Sequence, residues 1–435
     1  MSAMKPKRRI HDRQRGFTLI ELMVALTCGA LAITSIYAVG AAATRQFHQQ
    51  QQIANAQTSL RMALDQVKRD IARAGYLATP NASLPGQSAE CGVDAAVHNP
   101  ALSGSLAAIS RFVNNIPTAA GPATNVDASG QGRNRAFGFT VDELTLFGNY
   151  ATAAEYNGVT LMPANDEVAI SDNWHAFHVD FTNWALDPSP QVLDFDAVAF
   201  ARAFTVGRLL RLRTTSGLLH FAVISGVTAP NPDLATGTDV RVRFAPAVPP
   251  ACAAQVTGGQ VAPVNAIRYI VRNATADSLD DDRQAGAFGP RAHLLRQEVE
   301  PGDKATLLGA DPANNRVILD YVVGFNVDFT MTNARLLGET DEYLPGVTTT
   351  TTIPPDMREA DQVRINNNPE RIRSALIELA VRLPEHDVNF QFRRCTPTGT
   401  PPDLCSYQVF DRAGAARVRR MRAEVFLPNV AQEGY

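Results

Sequence analysis

The sequence predicts an α+β fold: a long N-terminal stem helix followed by a large, mainly antiparallel β-sheet head. Three observations carry this. No proline occurs between Pro6 and Pro80, so nothing in that stretch removes a backbone donor and breaks a helix. Inside it the apolar residues first run almost unbroken, then thin to a stripe at spacings of three and four, the period of a helix face. From about Phe137 onward the apolar residues fall in short runs separated by turn-forming residues, with little helical pattern between them. That pattern belongs to antiparallel sheet.

The first segment, residues 1–16, is basic. Lys5, Lys7, Arg8, Arg9, Arg13 and Arg15 stand against Asp12, a net of +5. Such an excess predicts that the leader stays cytoplasmic while the following chain crosses a membrane. The whole chain is formally −3, so subtracting the leader's +5 leaves −8. The remainder is acidic, and its net charge gives no support for nucleic-acid binding by bulk electrostatics.

Residues 17–44 come next, FTLIELMVALTCGALAITSIYAVGAAAT, with Glu21 as the only charge. This is enough to span a bilayer, which takes about 20 residues, and no later segment approaches it, so a single span is expected. A charged group in such a segment is costly unless it lies near the interface or finds a partner. Thr18 and Glu21 also have the spacing of a capping box at a helix start. Ordinary secretory signals end in a small-residue cleavage site after the apolar core. Here the candidate site, between Gly16 and Phe17, precedes the core, so cleavage leaves the helix on the mature chain.

In residues 45–76 the stripe is Ile53, Ala56, Leu60, Leu64, Val67, Ile71 and Ala74. Arg61, Asp65 and Arg69 lie four apart on another face, where they can pair. Gly75 is a stop signal. One helix is expected from Phe17 to about Gly75, roughly 90 Å long at 1.5 Å per residue. Its first half (17–44) is apolar all round, and its second half (45–76) is amphipathic. His48 and the glutamines at 49–52 mark the exit from the apolar layer.

The head, residues 77–435, has room for two subdomains. Residues 80–135 are rich in Pro, Gly, Ser, Asn and Ala and read as an irregular excursion held by Cys91. Strands are expected at 142–150, 207–213, 218–224, 239–244, 265–273, 293–299, 319–331, 374–383, 388–392 and 419–427. In 239–244, Val240, Val242 and Phe244 alternate with Arg241 and Arg243, the period of a half-buried strand. Ile377, Leu379 and Val381 share one face. Residues 334–370 read as a polar loop containing Thr348 to Thr352, Pro354 and Pro355.

There are five cysteines. Cys28 lies in the apolar helix as a small packing residue. Cys91, Cys252, Cys395 and Cys405 fall in the exported part, an oxidising place, and allow three pairings. Cys395 and Cys405 flank a Pro-Thr-Gly-rich loop, which favours a local bridge and leaves Cys91–Cys252 as the longer one. None of them has zinc spacing.

No nucleophile elbow, phosphate loop or HExxH is present, so neither enzyme chemistry nor a cofactor is expected. His175 and His178 stand three apart without a further ligand nearby, which favours a surface loop. Asp277, Asp280, Asp281 and Asp282 form an acidic cluster. It is a weak calcium candidate, because it lacks the spacing of the calcium loop between two helices, and a solvated charged turn is the favoured reading. Arg412, Arg417, Arg419, Arg420 and Arg422 form a basic patch, read as an arginine-bearing strand face ahead of a phosphate site.

The run GFTLIEL, with Gly16, Phe17 and Glu21 in place after a basic leader, resembles the prepilin signature of type IV pilins and type II secretion pseudopilins. LRMALDQVKRDIARAGY (60–76) is similar to the stretch after the membrane helix in PilW-type minor pilins. The order of IRYIVRN, HLLRQ, SALIELAVR and RRMRAEVFLPNVA is similar to the head strands of that group, while residues 80–260 depart most. The resemblance implies cleavage between Gly16 and Phe17 by a prepilin peptidase, N-methylation of Phe17, and pairing of Glu21 with a neighbouring subunit's Phe17 amine. It implies other minor pilins, the major pilin, the inner-membrane assembly platform and a tip adhesin as partners. It also implies an inner-membrane precursor with a periplasmic head that then joins the pilus tip and serves twitching motility, adhesion or DNA uptake. Whether nucleic acid is itself a partner stays open. A type II pseudopilin, and an uncut membrane-anchored binding protein, are the alternatives.

Overall fold

The computed structural model describes residues 18–79, 107–112, 141–152, 154–170, 197–228, 240–273, 292–301, 306–308, 315–331, 365–367, 369–384, 406–407 and 416–430. The chain divides into two units, Met1–Asn55 and Ala56–Tyr435. Helix α1, Leu19–Ala72, is continuous for 54 residues. It stops as the sequence predicts: Gly75 takes φ +75°, a left-handed conformation that glycine adopts without a Cβ penalty.

In the second unit, Leu60, Ala63, Leu64, Val67, Ile71 and Ala74 of the stripe are buried. They enter one core with Ile109, Leu144, Leu146, Ile267, Tyr269 and Leu294 from one sheet, and Phe325, Val327, Ala375, Ile377 and Leu379 from another. Arg61, Met62, Asp65 and Arg69 face solvent. Arg69 donates from Nε to the Asp65 carbonyl at 3.2 Å and from its terminal nitrogen to Gln66 Oε1 at 3.3 Å.

The head strands are β1 (Ile109–Phe112), β2 (Glu143–Gly148), β3 (Val159–Leu161), β4 (Glu167–Ile170), β5 (Leu209–Arg213), β6 (Leu219–Thr228), β7 (Val240–Ala245), β8 (Gln260–Asn273), β9 (Ala292–Val299), β10 (Asn315–Asp320), β11 (Val322–Met331), β12 (Ile372–Arg382), β13 (Ser406–Tyr407) and β14 (Ala416–Phe426). Two short helices join them, α2 (Ala197–Ala203) and α3 (Pro250–Val256). The larger sheet runs β1-β2-β8-β5-β6-β7-β4-β3, with β9 on β8 and β10 on β9; the smaller runs β11-β12-β14-β13. All pairings between named strands are antiparallel, as expected from the short, turn-separated runs. The sheets meet where Val141 bridges Phe325 in parallel. There Asp142 accepts from the Val327 N–H at 3.0 Å and from Arg111 Nε at 3.2 Å.

One expected strand is two. The run 319–331 breaks at Tyr321, which takes φ 54°. The turn sends β10 to the larger sheet and β11 to the smaller. A non-glycine residue is held there because the Arg382 N–H donates to its carbonyl at 3.0 Å and the Arg382 guanidinium lies 5.0 Å from its ring centre.

β8 starts at Gln260, five residues before the strand expected at 265–273, although it contains Pro263, a residue that cannot donate to a ladder. Val261 exchanges two backbone hydrogen bonds with Tyr156, each 2.8 Å. Its neighbours two residues on therefore present their backbone groups to that same edge. Pro263 has no N–H to offer there, and this is where residues between Gly148 and Tyr156 leave the ladder. On its other edge Pro263 stands opposite Leu210 in a position that needs no N–H from it. Asn265 closes the gap, accepting from the Tyr150 and Ala151 N–H groups at 3.1 Å each.

The first half of β8 pairs β5 and the second half pairs β2 and β9. It thus joins the stem core to a second one built from β3–β7, α2 and α3, with Tyr156, Phe200, Phe204, Leu210, Val242, Phe244 and Cys252. The helices of this second core carry no clear amphipathic signal because each is only seven residues long.

Candidate functional site

At the start of α1, Thr18 donates its N–H and its hydroxyl to Glu21 Oε2, both at 2.9 Å, and the Glu21 N–H donates to Thr18 Oγ1 at 3.3 Å. This is a reciprocal capping box, and it satisfies donors that a helix start leaves open. Glu21 is thereby placed in the first turn, on an exposed surface. Gly16 and Phe17 lie outside the described residues.

Beyond the cap, Leu19, Ile20, Leu22, Met23, Val24, Leu26, Leu31, Ile33, Ile36, Tyr37, Val39 and Phe47 are all exposed. The helix is long and apolar enough to cross a membrane. The hydroxyls of Thr27, Thr34, Ser35 and Thr44 are not left open to an apolar surrounding. Thr27 donates to Met23 and Val24 carbonyls, Thr34 to Ala30 and Leu31, Ser35 to Ala32, and Thr44 to Gly40, at 2.8–3.1 Å. Each side chain thus folds back on the preceding turn, which keeps the segment compatible with a bilayer or with packed helices. Cys28 is a free, exposed thiol on the same segment.

The other end of α1 carries a polar cluster that the sequence reading missed. Asp70 is 5% exposed. Its Oδ2 accepts from the Tyr269 hydroxyl and from Arg296 Nε, each at 2.6 Å. Its Oδ1 accepts from Gln66 Nε2 at 3.2 Å, and its carbonyl from the Tyr150 hydroxyl at 2.9 Å. Arg73 covers the Tyr150 ring at 5.7 Å and donates to the carbonyls of Asn149 and Thr152 at 2.7 and 2.9 Å. Asn429 Nδ2 caps the Ala72 carbonyl at 2.9 Å. Gly148 runs so close beneath that a Cβ there would lie 2.8 Å from the Arg73 carbonyl oxygen. The usable sequence signal was Asp70 itself, a charge between stripe residues Val67 and Ile71.

Burial, and then the Asp70 charge, push the hydroxyls of both Tyr150 and Tyr269 well above the ordinary tyrosine value of 10.0. Arg296 loses by burial but is held above its ordinary value by Asp70 and Tyr269. A raised folded-state value means that each tyrosine's contribution is complete below about pH 10 and is lost as pH rises toward the folded-state value. Head stability is therefore expected to fall in alkali from about pH 10 upward. In Tyr269→Phe that fall should be shallower, read as the denaturant midpoint against pH; identical slopes in both proteins would show that Tyr269 is not a source of it.

Of the other predicted residues, Arg420 and Arg422 both reach Glu378, at 3.1 and 2.7 Å, so part of the basic patch is neutralised across β12 and β14. Arg417 is exposed and Arg412 lies outside the described residues. Cys252 is disulfide-bonded, to a partner outside the described residues. Cys91, Cys395, Cys405, His175, His178, Asp277, Asp280, Asp281, Asp282 and the expected strand 388–392 also lie outside them. Among the described residues no cluster of His, Cys, Asp or Glu has a metal-holding arrangement.

Residues 11–37 match the family model described as the prokaryotic N-terminal methylation motif. The match takes in Gly16, Phe17, Thr18 and Glu21, and supports a type IV pilin-like protein with a membrane-anchoring helix. No curated protein and no solved structure matches the chain.

Proposed function

We propose that this chain is a minor pilin of the PilW type that takes part in starting type IV pilus assembly and sits at or near the pilus tip. The carrying observation is the methylation motif over residues 11–37 running straight into a 54-residue helix whose large apolar side chains from Leu19 to Phe47 are exposed. In this reading a prepilin peptidase removes residues 1–16 and methylates the new Phe17 amine. The capping box then holds the Glu21 carboxylate in the first helical turn, where a neighbouring subunit's amine can meet it. The helix leaves the inner membrane for the filament core while the head stays outside. A head whose described residues form three apolar clusters suits the tip, because a bulky subunit repeated along the shaft would crowd its neighbours. Other minor pilins, the major pilin and the assembly platform are its partners, and motility, adhesion or DNA uptake its downstream roles.

The test is the intact N-terminus of the membrane-extracted protein, by mass spectrometry with and without prepilin peptidase. The expected result is a methylated start at Phe17 that depends on the peptidase. A start at Met1 in both samples removes the reading and leaves an anchored extracytoplasmic protein. A type II pseudopilin would process identically, so a deletion strain separates the two: loss of surface pili with secretion intact is expected here.

A further inference from the structure

The apolar stripe that seats α1 on the head repeats itself. Leu60, Leu64, Val67 and Ile71 are buried at spacings of four, three and four. Sliding the helix along its axis by one turn, about 5.4 Å, would put one branched aliphatic group where another had been. Such groups exchange with little change of volume, so the stripe alone separates neighbouring poses poorly. The contacts of Tyr150 with the Asp70 carbonyl and of Asn429 with the Ala72 carbonyl add little discrimination, because a helix shifted by one turn presents another carbonyl at the same place. Past the helix, the Gly75 N–H donates to the Phe147 carbonyl and the Asn149 N–H to the Tyr76 carbonyl, two neutral bonds of 2.8 Å each. Arg73 donates to the Asn149 and Thr152 carbonyls at 2.7 and 2.9 Å, and Arg69, one turn earlier, carries the same group.

Asp70 breaks the repeat. One turn to either side of it stand Gln66 and Ala74. Ala74 carries no side-chain acceptor, and Gln66 offers only a neutral amide oxygen, so neither could replace the carboxylate at which Tyr269 and Arg296 each direct a bond of 2.6 Å. These are charge-assisted bonds, about twice as strong as neutral ones. In either slipped pose the Asp70 carboxylate and the Arg296 guanidinium would lose their ion pair, and with Ala74 in place the Tyr269 phenol would lose its acceptor as well.

We propose that Asp70, gripped by Tyr269 and Arg296, is a register pin that selects one seating of α1 on the head from several that the apolar stripe would accept. A buried polar group that fixes helix register at some cost in stability is a known physical device.

The test replaces the trio with apolar residues, Asp70→Leu, Tyr269→Phe and Arg296→Met, in the full chain in detergent. Spin labels on genetically encoded keto side chains at Met62 and Val317, both exposed, leave the cysteines untouched. The unsubstituted trio should give one narrow distance. The triple variant should remain folded but give a distribution that is broad or split by on the order of 5 Å. A folded triple variant with the same single narrow distance overturns the proposal, whatever its stability. Should the triple variant not fold, Asp70→Asn, which keeps the shape and removes the charge, is measured the same way. Broadening there supports the pin, and an unchanged narrow distance overturns it.

Discussion

Arg208→Ala is expected to destabilise the head by about 3–5 kcal/mol, because it leaves a buried carboxylate without its cation. Arg208 and Glu298 are both largely buried. Nε meets Oε1 at 2.8 Å and a terminal nitrogen meets Oε2 at 3.0 Å, a two-pronged pair between the start of β5 and the end of β9. Asn265 of β8 donates to the same Oε1 at 2.6 Å. The remaining terminal nitrogen of Arg208 caps the end of α2, donating to the carbonyls of Arg202 and Ala203. Removing the arginine therefore strands a charge and uncaps a helix at one point where β5, β8 and β9 come together. Chemical denaturation with an unchanged slope would read the loss as a lower midpoint. Arg208→Met combined with Glu298→Leu should recover much of it, since no lone charge then remains. A double variant as unstable as the single one would put the cost in the helix cap instead.

Ile71→Ala should cost about 2–5 kcal/mol, the range for emptying a packed aliphatic site. Ile71 is fully buried in the core shared with both sheets, and the groups around it belong to rigid strands that collapse poorly into a void. Met62→Ala, on the opposite side of the same helix, removes a side chain that is 69% exposed. Its effect should fall within about 0.5 kcal/mol. The ratio of the two midpoint shifts measures how far the stability of the second unit depends on the stripe. Equal shifts would mean that α1 is not seated on the head as described.

The stem was legible in the sequence because its two signals, proline exclusion and a 3–4 spacing, are both local. The strands at 143–148, 240–245, 292–299 and 372–382 were legible for the same reason, through runs and alternation of branched residues. What could not be read depends on distant partners. Tyr321 looks like the middle of a strand until Arg382 is seen holding it in a turn. Pro263 looks like a break until the β2 edge is seen to leave the ladder beside it. The Asp70 cluster needs Tyr269 and Arg296, which are remote in sequence and meet it only when β8 and β9 pass under the helix. At the N-terminus the balance reverses: the motif residues were plain in the sequence, and the structure adds the capping geometry of Thr18 and Glu21.

The pairing of Gly148 with Asn265 brings together the two ends of the chain that forms the second core. The chain leaves β2 at the first of these residues and, after building the second core, comes back beside it at the second. Topologically the intervening lobe is a hairpin turn grown to the size of a domain, since two residues suffice to join such neighbours in a simple hairpin. The lobe is an insertion between two paired strands, β2 and β8. A substitution inside the second core is expected to leave the pairing of β2 with β8 in place.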